Sequence, residues 1–172
     1  MPLSSLVRLL QSSALTGELL ERRSRDQRLL LRGGHRAARA LVATALARRA
    51  DQPLLVVVPT LEEAGRWTAL LELMGWSSTQ LYPTSEGSPY EPFDPTTEIT
   101  WGQLQVLSEL QSGSDRPDLA IVATERCLQP HLPPPQALAE RCRSLRNGDT
   151  VDLEELAICL SQLGYERIAS ID

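Results

Sequence analysis

Leu54-Leu55-Val56-Val57-Val58-Pro59 decides the fold of this chain. Five consecutive apolar residues, three of them β-branched and none alternating with a polar one, are the pattern of a central parallel strand buried on both faces. Pro59 ends the strand because it has no N–H for a ladder and restricts the residue before it. Thr60-Leu61-Glu62-Glu63 follows as a capping box that opens a helix, and Gly75 stands where the residue past a helix end belongs.

Downstream, Thr79 to Tyr82 reads as another strand. Residues 83 to 95 form a loop with four prolines, three acids and two aromatics. A helix is predicted from Thr96 or Thr97 to about Ser112, its inner face built from Ile99, Trp101, Leu104, Leu107 and Leu110. Leu119-Ala-Ile-Val-Ala123 is a second fully apolar strand, and Thr124 caps a short helical turn. Upstream, Leu3, Leu6, Val7, Leu10, Leu15, Leu19 and Leu20 recur at helical spacing, with a break expected at Thr16-Gly17. Leu29-Leu30-Leu31 is read as a short strand and Ala37 to Arg49 as a helix. Strands alternating with helices through short loops give an α/β fold, a mainly parallel sheet flanked by helices.

Pro130 to Pro135, four prolines in six residues, closes that domain. Beyond it Arg141-Cys-Arg-Ser-Leu145 reads as a strand and Asn147-Gly148 as a turn. Asp152-Leu-Glu-Glu155 caps a helix to Leu163, closed by Gly164, and Tyr165 to Ile171 alternates as a strand. The expected divisions are an N-terminal helical segment 1–28, an α/β domain 29–132, and the start of a small α+β domain at 139–172 that lacks its sheet partners. The chain therefore reads as a fragment of a longer protein.

Gly33-Gly34-His35-Arg36-Ala37-Ala38-Arg39-Ala40 lies between the first strand and first core helix, where a phosphate loop would sit. Such a loop needs G-x-x-x-x-G-K-[ST], so that backbone N–H groups cradle phosphate, lysine reaches the β/γ oxygens and a hydroxyl holds magnesium. Counting from Gly33, Ala38 replaces the second glycine, Arg39 the lysine and Ala40 the hydroxyl. Counting from Gly34 gives Arg39, Ala40 and Leu41, a poorer match. All 17 basic residues of the 172 are arginine, so no lysine exists elsewhere to substitute. Arg39 is read as a helix-surface residue rather than a phosphate ligand, and His35 has no partner that would make it a catalytic base.

A net charge of −5 opposes general affinity for nucleic acid. Residues 21–50 are the exception, with nine arginines against Glu21 and Asp26, and read as solvated helix faces. Cys127, Cys142 and Cys159 are too widely spaced for a zinc knuckle, and Pro130 prevents Cys127 and His131 from sharing a metal. No metal and no cofactor are expected. Glu86, Glu91, Asp94 and Glu98 lie in or beside an exposed loop, without the burial that acid–base catalysis by paired carboxylates requires. No leader and no membrane span are visible, and a cytoplasmic location is expected.

The order of these motifs is more specific than any one of them. The degenerate phosphate loop, Leu54 to Pro59, the acidic aromatic loop Tyr82 to Pro95 with Glu98-Ile99, Ile121-Val-Ala-Thr124 and Leu163-Gly-Tyr-Glu-Arg167 together resemble the N-terminus of bacterial transcription-repair coupling factors (Mfd). Essentially the whole chain is covered. The resemblance implies a UvrB-like module: a degenerate, helicase-type P-loop-like α/β domain without ATPase function, then the start of a domain that binds UvrA. It implies UvrA as partner, with Tyr165, Glu166 and Arg167 as contact residues, and Gly33, Gly34 and Arg39 as an inactive phosphate loop. RNA polymerase and DNA would be engaged only by other domains of the longer, ATP-dependent translocase. The competing reading from the residues alone is a Rossmann-like nucleotide- or anion-binding domain using the Gly33-Gly34 turn, but G-x-G-x-x-G and a strand-end acid for ribose are missing.

Overall fold

The computed structural model describes residues 3–84, 97–111, 116–128, 134–143, 145–163 and 165–166. The chain forms two compact units, Met1–His131 and Leu132–Asp172.

In the first unit, helices α1 (Leu3–Gln11), α2 (Ala14–Asp26) and α3 (Arg36–Arg49) precede strand β1 (Leu54–Val58). Helix α4 (Leu61–Leu73), β2 (Ser78–Tyr82), α5 (Thr97–Gln111), β3 (Leu119–Thr124) and a 3-10 turn over Glu125–Leu128 complete it. The strands form a parallel sheet in the order β1-β3-β2. One sheet face carries Val56, Val58, Ala120 and Val122 and packs with Val7 of α1, Ala40 of α3, and Ala64 and Leu71 of α4. The other face packs Tyr82, Leu119, Ile121 and Ala123 with Val106 of α5 and with Cys127. These layers make an α/β fold.

Four sequence expectations for this unit are corrected. The central strand is β3, buried at all six positions, while β1 is an edge strand in which Leu55 and Val57 are 57% and 44% exposed. A continuous apolar run does not distinguish an edge from a centre, because burial on the second face is decided by what later covers it. Leu29-Leu30-Leu31 is not a strand; Leu30 and Leu31 are exposed. Three residues between Arg28 and Arg32 gain too few ladder bonds to offset ordering them.

The N-terminal helical stretch breaks at Ser12-Ser13, not at Thr16-Gly17. Ser13 Oγ accepts from Thr16 N (3.3 Å) and donates to Leu10 O (2.7 Å), capping α2 and closing the end of α1. Gly17 continues the helix, and a Cβ there would lie 3.2 Å from Arg49 Nη2. The fourth correction concerns α5. Leu107 packs against the core, but Trp101, Leu104 and Leu110 are exposed, and Val106 takes the inner position. The close approach of Gly102, where a Cβ would meet Pro83 Cγ at 2.8 Å, sets the helix phase. The side chain of Ile99 lies outside the described residues.

The second unit contains α6 (Pro135–Arg141) and α7 (Leu153–Gln162). Arg141 ends α6, and Cys142, Arg143 and Leu145 have no regular structure, so at these described positions the strand expected over 141–145 is corrected to a helix end and irregular backbone. A proline at N1 favours the helix because its missing N–H would have had no intrahelical partner. Asn147-Gly148 is a turn, with Gly148 at φ +98 and Asp149 N donating to Arg146 O at 3.0 Å. Asp152 caps α7 by accepting from Glu154 N (2.8 Å) and Glu155 N (3.1 Å). No residue of α7 is buried.

Candidate functional site

The phosphate-loop position lies at the first turn of α3. Gly33 and Gly34 both take positive φ, +79 and +72, a conformation glycine adopts without a Cβ penalty. The backbone thus makes the sharp entry that a phosphate loop makes. Two of its backbone donors, however, Ala38 N and Arg39 N, and the side chains of Arg36 and Arg39 are engaged within the chain. His35 is the N-cap, and its Nδ1 accepts from Ala38 N at 3.4 Å. Arg39 turns back so that Nε donates to Gly34 O at 3.1 Å. Arg36 grips Glu63 of α4 with two donors, Nε to Oε2 at 3.0 Å and Nη2 to Oε1. Arg66 adds to the same carboxylate at 3.7 Å and also binds Glu62.

The bonds from Arg36 hold the Glu63 carboxyl below the usual glutamate range, with further help from the positive charge of Arg36, Arg66 and Arg39. The Arg36 guanidinium is raised by the same bond. Thr60 caps α4 through Glu63 N at 3.2 Å, but the Glu63 side chain is given to Arg36 and does not return to complete the box. Ala40 is fully buried in the core cluster with Val56 and Val122. A hydroxyl at that position would face the sheet, where it could not hold a metal beside the loop.

The arginine-rich segment is a set of clamps as much as a solvated face. Arg48 lies 4.2 Å over the Trp76 ring and donates to Gly75 O (3.0 Å) and Pro117 O (3.5 Å). Arg49 donates to Gln11 O (2.9 Å) and Ser13 O (3.0 Å), tying α3 to the break between α1 and α2. Arg23 reaches Gln52 at 3.3 Å. A planar fork of several donors suits such multi-carbonyl contacts better than an ammonium does, which gives the all-arginine composition a structural use.

In the second unit, Tyr165 and Glu166 are exposed and not in a strand, and Tyr165 N donates to Leu160 O at 3.1 Å, the bond that closes a Schellman helix end. Arg143 of this unit pairs with Glu155 at 3.1 Å. Arg167, Gly164, the rest of the expected 165–171 strand, the loop acids Glu86, Glu91 and Asp94, and His131 lie outside the described residues. Among the described residues no three His, Cys, Asp or Glu side chains come together as a metal site, and no helix is long and apolar enough to cross a membrane. Sequence reasoning missed His35 as a cap and Glu63 as the partner of Arg36. The first was legible from its place just before the helix; the second depends on two helix starts meeting at one end of the sheet.

No family model matches the chain. Individual proteins do. A transcription-repair-coupling factor of Mycobacterium tuberculosis is 30% identical over 171 residues, which is 97% of this chain and 14% of that protein. The chain belongs to the transcription-repair coupling factors. The factor of Bacillus subtilis is 29% identical over 80% of the chain and 12% of its own length. That of Haemophilus influenzae is 26% identical over 78% and 11%. The chain thus spans about an eighth of the length of the coupling factors it matches.

Proposed function

We propose that this chain is the non-catalytic, UvrB-like N-terminal module of a transcription-repair coupling factor, and that it recruits UvrA in transcription-coupled nucleotide excision repair. The observation that carries the reading is the engaged phosphate loop in a chain of this family: Ala38 N, Gly34 O and the Arg36 guanidinium are already taken by His35, Arg39 and Glu63. Such a domain supports other domains and offers surfaces rather than turning over nucleotide. The domain beginning at 139 contributes Tyr165, Glu166 and Arg167 to the UvrA contact, a tyrosine and an arginine being the residue types that dominate binding energy at interfaces. In the longer protein, an ATP-dependent translocase, other domains engage DNA and stalled RNA polymerase. The module acts in the cytoplasm and needs neither metal nor cofactor.

Calorimetric titration of UvrA against the full-length coupling factor tests the assignment. Arg167→Ala should weaken binding by roughly 1–3 kcal/mol for a desolvated contact, and Tyr165→Ala by a comparable amount. Leu107→Ala should act through stability alone. Unchanged affinity in folded Arg167→Ala and Tyr165→Ala proteins would remove the contact from residues 165–167.

A further inference from the structure

Three guanidinium groups gather around one carboxylate where α3 and α4 start side by side. Arg36 donates to both oxygens of Glu63, Nε to Oε2 at 3.0 Å and Nη2 to Oε1. Arg66 Nη1 stands 3.7 Å from Oε1, and Arg39 acts on the same group through its charge. The second carboxylate of the cluster, Glu62, is held by Arg66. Three positive groups therefore share two negative ones, and without Glu63 the surplus would rise from one charge to two.

Glu63 forgoes a local bond to stand there. In the box Thr60-Leu61-Glu62-Glu63 its carboxylate would return to Thr60 N; it crosses instead to a helix 27 residues away. The fork it fills takes two oxygens in a plane, and it suits a phosphate as well as a carboxylate. Arg36 opens α3 directly after the left-handed Gly33 and Gly34, so the fork belongs to the turn where a phosphate loop would hold its ligand.

We infer that Glu63 is a tethered anion filling an oxyanion seat, and that this occupancy, in addition to the missing lysine, keeps the module silent toward phosphates. The vacated seat takes a phosphate, held by Arg36 with Arg66 and Arg39 beside it. Free phosphate must give up its translational freedom to bind, and a carboxylate carried on the neighbouring helix does not. Millimolar phosphate consequently leaves the parent seat filled. Restoring the loop consensus at 38–40 leaves Glu63 in place, whereas a change at position 63 alone opens the seat. The inference stands apart from the UvrA contact, and none of the outcomes below bears on that contact.

The test uses inorganic phosphate as the probe, on the 172-residue chain, Glu63→Gln, and Glu63→Gln with Arg36→Ala, each checked for folding by circular dichroism. Melting is followed in phosphate and in sodium chloride of equal ionic strength, and the parent's own response is subtracted because phosphate strengthens burial in any protein. The melting temperature of Glu63→Gln should rise saturably with phosphate, by about 4–7 °C more than the parent's at ten times the dissociation constant. Removing Arg36 as well should abolish the difference. If Glu63→Gln is unfolded in chloride, phosphate should restore its fold. A Glu63→Gln protein that responds as the parent does, or is not restored, overturns the inference. So does a response that survives Arg36→Ala, which would place the phosphate elsewhere, or a parent that binds phosphate as well as the variant.

Discussion

Restoring the phosphate-loop consensus with Ala38→Gly, Arg39→Lys and Ala40→Thr should damage the protein without giving it ATP. Ala40 is fully buried against the sheet, so a threonine adds volume to a filled site and costs about 1–3 kcal/mol. Its hydroxyl can bond a carbonyl one turn back, which spares a further desolvation cost. Ala38 lies in the first turn of α3, where glycine costs about 0.5–1 kcal/mol. Losing the exposed bond from Arg39 to Gly34 O adds at most about 0.5 kcal/mol. The sum is about 2–4 kcal/mol. At about 3–5 °C per kcal/mol for a unit of this size, the melting temperature should fall by roughly 6–20 °C. Melting followed by circular dichroism, with and without millimolar Mg-ATP, is the assay. ATP present at a hundred times its dissociation constant would recover about 2.7 kcal/mol, so even modest binding is visible. Ala40→Thr alone should account for most of the loss. A triple variant that melts with its parent and rises on adding Mg-ATP would refute the reasoning, since it would mean that position 40 can face the loop.

Two further outcomes are expected. Thr44→Val keeps the shape of a fully buried side chain but removes the acceptor 3.1 Å from Trp76 Nε1, which should cost about 1–3 kcal/mol in urea unfolding. In a Trp76→Phe background the same change should cost at least about 0.5 kcal/mol less; equal costs in both backgrounds would show that the bond contributes nothing. Glu63 is held below its ordinary pKa by Arg36, so the stability it brings is fully present above the unfolded value of roughly 4.3. It is lost as pH falls through the lowered native value. Glu63→Gln should therefore be less stable than the parent near neutrality and converge with it in acid, as urea midpoints against pH would report.

Much of the fold is legible because local signals act locally. The caps at Thr60 and Asp152, the turn at Asn147-Gly148, the left-handed Gly75 at φ +90 and the three strands are written in residues within a turn of where they act. Two of the misses share a cause in longer-range packing. Whether β1 or β3 is central depends on which strand finds neighbours on both sides, and both are unbroken apolar runs. The phase of α5 depends on Pro83 approaching Gly102, which hydropathy spacing does not register. At the candidate site the missing lysine and hydroxyl are plain in the sequence. The grip of Arg36 on Glu63, 27 residues away in the chain, is visible only once α3 and α4 start side by side.

The sheet order has a consequence for how the chain is made. β1 and β2 each find their ladder in β3, the last of the three to be synthesised, and Leu54 pairs with Ala120, so 120 minus 54, or 66, residues separate the partners. At a ribosomal rate of about 5–20 residues per second, β1 exists for roughly 3–13 s before its partner has been polymerised. Throughout that interval Leu54 to Val58 is an uncharged strand-former with no ladder. The nascent chain is most vulnerable to misassembly while α4, β2 and α5 are being added, and that window closes only when β3 enters the centre of the sheet.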